Sequence, residues 1–512
     1  MQHILGISRH QMRISSLEDA ISPDNQVRFI DTFVSFVDLS KLGFSVRTLK
    51  KEGRPSYNSQ VFLKIYLYGY LNGLRSSRKL EKECLRNIEM QWLLEDIRPN
   101  YHSISDFRKN NPIALKNLFR LFVSFLKDAD LVGGETIAID GTKSRAHNSK
   151  KANFNQKKID KHLEYIETKT QEYLNALEEN DTKENSSEIK NIQQKIERLQ
   201  QNKLRYELLE EKLKASGEPQ ISTTDSDARA LLVQGQVVEI SFNIQAAVDA
   251  KHNLVVATHT INKNDRSALS AIAIEAKENL GIETYTALVD KGYHNGKQIE
   301  ICKQSNITTI VAQPEQGKSN ENGTTTDYLV SKFQYDKITD SYTCPEGETL
   351  KTTGSWHKKT TDRDSYEFKK YRTSKCKECS VKHLCTSRVA GREIDRSQYA
   401  DAVEENNKRY QANAQLYRKR QEINEHIFGT IKRQWGYNHT NLTGLEKVNG
   451  EHSLIMLVYN IKRTINILGV PELIAKLQKW NSPYKGKILF LIKTSYLKLT
   501  ARRNLNSMKF AA

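Results

Sequence analysis

No stretch of this chain approaches the ~18 consecutive apolar residues that a membrane-spanning helix needs, so the sequence offers no transmembrane segment. The opening residues, MQHILGISRHQMRISSLEDA, lack both the apolar core and the small-residue cleavage site of a secretory signal. The expected location is therefore the cytoplasm. Cysteine is scarce, six in 512 residues, which excludes a disulfide-built scaffold. Acidic residues are outnumbered: 61 Asp and Glu face 79 Lys and Arg, a formal net charge of +18.

That balance, with a sequence pI near 9.3, suits a polyanionic partner, most simply nucleic acid, because each neutralised phosphate releases a counterion. A basic surface also serves solubility alone, so composition leaves both readings open. A hydrophobic fraction of 38% suffices for a folded core, while a mean hydropathy of −0.65 implies a heavily solvated surface. A chain of this length holds roughly three units of ordinary domain size.

Residues 1–130 read as a helical unit. Val27, Phe29, Ile30, Phe33 and Phe36 recur at helical spacing, and SQVFLKIYLYGYL (59–71) is apolar around most of its circumference, as in a buried central helix. Further helices are expected over 76–86, 88–94, 104–108 and 113–126. Basic residues punctuate them, among them Arg54, Arg75, Arg78, Lys79 and Arg108. DNA-binding helical units and ordinary solvated helix faces share that layout.

The run ETIAID is a short apolar strand ending in Asp140. Over 151–217 the composition turns to Lys, Glu, Asn and Gln. Ile159, Leu163, Ile166, Tyr173 and Leu177, then Ile189, Ile192, Ile196 and Leu199, keep heptad spacing in two arms, predicting a helical coiled-coil hairpin inserted into a domain. Beyond residue 237 the period becomes that of strands. A hairpin is expected over 238–249 and 254–261, a helix over 267–280, a strand YTALVD ending in Asp290, a helix over 295–304 and a strand over 307–312. A polar, strand-poor excursion over 316–400 carries four of the six cysteines. A long basic helix over 410–435 and a second over 452–468 close the pattern. The fold class is α/β, a mixed sheet with two excursions.

Two strands ending in aspartate are the sharpest chemical signal, because open α/β sheets bind ligands outside strand ends. Carboxylate oxygens suit hard divalent ions, and two such ions can clamp the attacking and leaving oxygens of a phosphoryl displacement. A third acid is then expected on a nearby helix. Glu425 is the candidate, with Arg418 and Lys432 seven residues to either side on one helical face, and Glu422 is its rival. Cys344, the pair Cys376 and Cys379, and Cys385 suit tetrahedral Zn²⁺, with free thiols on a polar loop as the alternative. Cys84 and Cys302 fall in helical segments as core residues. The acid-rich run 223–229 reads as a capping turn. Trp435 suits stacking on an unpaired base or packing on the sheet.

Taken together, IAIDGTKSRAHNS, FNIQAAVDAKHNLVVA, ALVDKGYHNG and EINEHIFGTIKRQWGY resemble a DDE-type transposase of bacterial insertion sequences. GRPSYNSQVFLKIYLYGYLNGLRSSRKLE and HSISDFRK resemble the helical domain preceding its catalytic core, so the likeness runs from about residue 27 to 470. The resemblance implies a ribonuclease-H-like core and a catalytic triad on Asp140, Asp290 and Glu425, binding two Mg²⁺ (or Mn²⁺). It also implies double-stranded DNA, both transposon ends and target, as partner, and a homo-oligomer on that DNA in the bacterial nucleoid. Arg418, Lys432, Arg54, Arg75, Arg78 and Lys79 are the DNA contacts expected on this reading. The domains expected are a helical DNA-binding domain (1–130), a core in pieces (131–150, 218–315 and 401–470), a helical hairpin (151–217), a Cys-bearing insertion (316–400) and a tail (471–512).

The family's core helix carries Tyr, two residues, Arg, three residues, Glu, six residues, Lys. Glu425 and Lys432 keep that spacing. Gln421 and Arg418 occupy the Arg and Tyr positions, with Arg420 and Tyr417 each one residue off. Two other readings remain open: a transposase-derived DNA-binding protein without catalysis, and a nuclease that cuts without joining.

Overall fold

The computed structural model describes residues 14–45, 56–181, 186–234, 237–314, 324–360 and 365–481, with a few isolated positions before residue 13. The chain is mixed α/β with a helical N-terminal region. Six helices open it: α1 (Gln26–Phe36), α2 (Ser59–Leu71), α3 (Ser77–Arg86), α4 (Ile88–Leu93), α5 (Tyr101–Asn110) and α6 (Pro112–Asp128). Strands β1 (Thr136–Arg145) and β2 (Asn153–Phe154) lead to the long helices α7 (Gln156–Asp181) and α8 (Ser186–Ser216). Then come β3 (Ile221–Ser222), β4 (Arg229–Gln234), β5 (Val237–Asp249), β6 (Leu254–Ile261), α9 (Leu269–Leu280), β7 (Tyr285–Val289), α10 (Gly296–Gln304) and β8 (Ile307–Val311).

Six short strands follow, β9 (Gln334–Asp336), β10 (Ser341–Thr343), β11 (Thr349–Lys351), β12 (Trp356–Thr360), β13 (Ser365–Tyr371) and, after the one-turn α11 (Lys382–Cys385), β14 (Ile394–Ser397). Helices α12 (Ala400–Ala412), α13 (Ala414–Phe428), α14 (Leu445–Leu468) and α15 (Val470–Lys479) close the described chain. The chain divides into two compact units: 1–264 with 275–282 and 421–512, and 265–274 with 283–420.

In the first unit, the helix starts are written in asparagine. The side chains of Asn25, Asn58, Asn87 and Asn100 accept the orphan N–H groups that open α1, α2, α4 and α5. Helix α2 buries ten of its thirteen residues, as its all-round apolar sequence predicts. A Cβ on its Gly69 would stand 2.7 Å from the Leu74 backbone carbonyl oxygen, so glycine lets the chain fold back this closely after α2. Helix α14 runs through the middle, packing on α2, α5, α6, α15 and β6. It begins at Leu445, earlier than its apolar run suggests. Asp225 accepts from the Gly444 N–H and Asp227 from the Leu445 N–H, so the acid-rich run caps this helix.

Strand β5 is the hub of this unit's sheet. It pairs antiparallel with β1 along one side, and with β4 and β6 in succession along the other. Helix α14 finishes β6: Asn460 donates to the Val255 carbonyl and accepts from its N–H, pairing backbone groups that an edge strand leaves open. Helices α7 and α8 pack along each other, with Ile159, Ile166, Ile192 and Ile196 buried.

The second unit is built on the parallel pair β7–β8, with α10 and α12 packed on β8. Asn406 of α12 makes the same two-way bond to Val311 at the end of β8. The excursion after β8 departs from the expected strand-poor loop. It forms two three-stranded antiparallel sheets, β11-β10-β9 and β12-β13-β14. Their strands are short and polar, and all five residues of β12 are exposed, so no apolar alternation announces them. The single basic helix expected over 410–435 is also divided: it breaks at Asn413 and, after Phe428, widens into a π-helical turn, Gly429–Gln434.

Candidate active site

Asp140 lies within β1, not at its end. Nine consecutive pairs tie β1 to β5, from Ile137 opposite Asp249 to Arg145 opposite Ser241, with Asp140 opposite Ala246. Pairing with β5 carries the strand through GTKSR, which has no apolar pattern of its own. Ile137, Ala138 and Ile139 are buried, while Asp140 is half-buried and accepts the Gly141 N–H at 2.7 Å.

Asp290 does follow its strand directly. Val289 is the last residue of β7, and the Asp290 side chain accepts the Gly292 N–H at 3.3 Å, opening a short turn. Two side chains of α13 in the same unit hold this strand end. The Tyr417 hydroxyl donates to the Val289 carbonyl at 3.2 Å, and the Arg420 guanidinium stands 3.3 Å from Asp290 Oδ1. Arg420 also lies over the Tyr417 ring, 5.6 Å from its centre. Sequence reasoning placed these two a residue out of register and did not count them in the site. Their signal was their shared spacing, Tyr, two residues, Arg.

Glu425 is exposed on α13 and accepts from Gln421 at 2.8 Å. Glu422 is exposed as well, as is Arg418. Lys432 is not the exposed phosphate contact that seven-residue spacing suggests. The π-helical turn interrupts the α-helical register between Glu425 and Lys432, and the Lys432 ammonium turns inward to the strand. It donates to Thr142 Oγ1 at 3.0 Å and to the Lys143 carbonyl at 2.8 Å, just past Asp140 on β1. Burial pushes its pKa below the usual lysine value. π-helical turns frequently occur at functional sites.

The basic residues of the N-terminal helices, Arg75, Arg78 and Lys79 among them as expected DNA contacts, separate into two groups. Arg78 and Lys79 are exposed on α3, with Arg78 over the Tyr101 ring. Arg75 and Arg108 are buried instead, within 3.7 Å and 3.6 Å of a Glu451 carboxylate that has no solvent exposure. Arg75 also lies over the Tyr437 ring, donates to the His439 carbonyl, and is thereby committed to the interior. Their acid partner is far along the chain on α14, which local sequence could not reveal. Arg54 falls outside the described residues, as do residues 482–512 of the expected tail. Trp435 packs against Tyr437 and Tyr459.

Cys84 and Cys302 are buried core residues. Cys344, Cys376, Cys379 and Cys385 are free thiols that line one small cavity in the second unit. Among the described residues, no group of three or more His, Cys, Asp or Glu side chains is disposed to hold a metal ion as it stands. No helix among them is long and apolar enough to cross a membrane.

Comparison with known proteins adds two matches. Residues 15–110, covering α1 to α5, match a family model described as a transposase domain (DUF772). Residues 343–465, from Cys344 into α14, match one described as a transposase DDE domain. Glu425 lies inside the second match, and Asp140 and Asp290 lie outside both. No curated protein and no solved structure matches the chain.

Proposed function

We propose that the chain is a DDE-type insertion-sequence transposase, a reading its two matched segments support, and that it cuts and joins DNA with Asp140, Asp290 and Glu425 as metal-binding carboxylates. One observation carries this reading: in each unit, taken by itself, a cation stands beside an acid-bearing strand. Arg420 meets Asp290 within one unit, and Lys432 meets Thr142 and Lys143, next to Asp140, within the other. Glu425 lies between those two cations in the chain.

The order β1, β5, β6, α9, β7, α10, β8 supports a ribonuclease-H-like core, which α7–α8 and β9–β14 would interrupt as two insertions. The donor set fits hard divalent ions such as Mg²⁺ or Mn²⁺, since it offers carboxylate oxygens alone. When bound, two such ions would stabilise charge on the attacking and leaving oxygens of an in-line phosphoryl transfer. Asp140, Asp290 and Glu425 would hold them. Arg420 orients Asp290, and Lys432 fixes the strand beside Asp140. Water adds to phosphorus at a transposon end and the P–O3′ bond breaks, freeing a 3′-hydroxyl. That hydroxyl then attacks a target phosphodiester, forming one P–O bond as another breaks, so no protein nucleophile is needed. Arg78, Lys79 and Arg418, exposed, supply phosphate contacts that position the duplex.

A strand-transfer assay with element-end DNA tests the reading. The wild-type chain should cut and join, and Asp140→Asn should still bind ends while doing neither. Cutting by Asp140→Asn at the wild-type rate would refute the assignment. Cutting without joining by the wild type would make the chain a nuclease only.

A further inference from the structure

The insertion β9–β14 has chemistry that strand transfer does not use. Its buried core is meagre: one cluster of Phe333, Tyr342, Leu350, Tyr371 and Ile394, with Cys344 and Cys385 packed against it. So small a core rarely holds a fold without a staple, and the four thiols here form no disulfide. They arrive from three separate places in the chain. Cys344 follows β10, Cys376 lies within a 3₁₀ turn (Ser374–Lys377) with Cys379 just after it, and Cys385 ends α11. All four nevertheless line the same cavity of about 30 Å³, room for one or two water-sized spheres.

We propose that this cavity is a structural zinc site, with Cys344, Cys376, Cys379 and Cys385 as its four thiolate ligands. The local backbone favours it. The turn after Cys344 is closed by Gly347, at φ +84°, whose N–H donates to the Cys344 carbonyl. The Glu348 N–H then donates to Cys344 Sγ at 3.3 Å. Gly391, at φ +95°, abuts Cys376 so closely that a Cβ would stand 2.5 Å from the Cys376 Cβ, seating the Cys376 turn against the β14 side of the insertion.

As they stand, the thiols line the cavity without closing on its centre. Zinc binding would bring each sulfur to about 2.3 Å from the ion. Four sulfur ligands select zinc over the hard ions proposed for Asp140, Asp290 and Glu425. A closed four-thiolate shell leaves no open position, so the role is structural. This inference does not depend on the transposase reading.

Elemental analysis of the full-length chain, purified without chelator or added metal, tests it. The expected result is about one zinc per chain after gel filtration, released by an organomercurial as four thiols react. Cys379→Ser should retain less than about a tenth of that zinc, and Cys84→Ser should retain it all. If Cys379→Ser proves insoluble, wild-type protein grown with Co²⁺ decides. Thiolate-to-cobalt charge transfer with strong tetrahedral bands supports the site, and the weak bands of octahedral oxygen coordination overturn it. A zinc-free chain with four reactive thiols, or a disulfide among the four, overturns it too.

Discussion

Arg420 reaches Asp290 at 3.3 Å while Tyr417, one turn earlier on α13, bonds to the carbonyl of the preceding residue, Val289. The strand end that presents Asp290 is therefore clamped by the helix that also carries Glu425.

Removing the clamp should separate stability from activity. The pair is partly exposed, with side-chain exposures of 16% for Arg420 and 38% for Asp290, so Arg420→Ala should cost only about 1 kcal/mol of folding free energy. Misplacing Asp290 should lower the cleavage rate roughly tenfold or more. Melting curves beside a cleavage time course check both, and an unchanged rate would remove Arg420 from the site.

The two exposed acids of α13 should behave differently. Glu425→Gln keeps the shape and removes the negative charge, and should abolish metal-dependent cleavage while end-binding persists. Glu422→Gln should retain activity within about twofold. The reverse pattern, measured on purified variants, would make Glu422 the third acid.

Glu451, which has no solvent exposure, neutralises two buried arginines inside the first unit. Burial pushes its carboxyl up, but Arg108, His452 and Arg75 outweigh that and hold the pKa below the usual value. Glu451→Gln leaves two buried cations short of a partner and should cost about 3–5 kcal/mol, visible as a lower urea midpoint. A variant as stable as wild type would show that water reaches this cluster.

His452 should make the protein acid-sensitive. It is fully buried with neither ring nitrogen hydrogen-bonded. Burial lowers its pKa from 6.5 to about 4, with Arg75 and Lys432 acting in the same direction and Glu451 opposing. Between those values the unfolded chain binds a proton that the folded chain refuses. Stability therefore falls as pH drops from 6.5 towards 4, by up to about 3 kcal/mol. The Glu451 contribution is lost lower still, since its folded pKa lies below 4.5. Urea unfolding of His452→Leu should lose the upper part of this pH dependence, and an unchanged profile would assign it elsewhere.

Legibility in the sequence followed the range of the forces involved. Helix α2 and the arms α7 and α8 could be read because burial period is written locally. Asp290 could be read because β7 stops where its apolar run stops. The strand bearing Asp140 could be read only as far as its apolar run, since the continuation through GTKSR depends on pairing with β5 a hundred residues later. The burial of Arg75 and Arg108 depends on Glu451, equally remote. The inward turn of Lys432 depends on a π-helical register that a constant helical period cannot express.

Iron-directed backbone cleavage tests the central claim most directly. With Fe²⁺ replacing Mg²⁺ on the DNA-bound chain, ascorbate and peroxide generate hydroxyl radicals that cut the peptide beside the ion. The account predicts cuts near residues 140, 290 and 425 together, suppressed by excess Mg²⁺ and absent in Asp140→Asn. Cuts at only one of these segments, or a pattern unchanged in Asp140→Asn, would contradict a shared metal site.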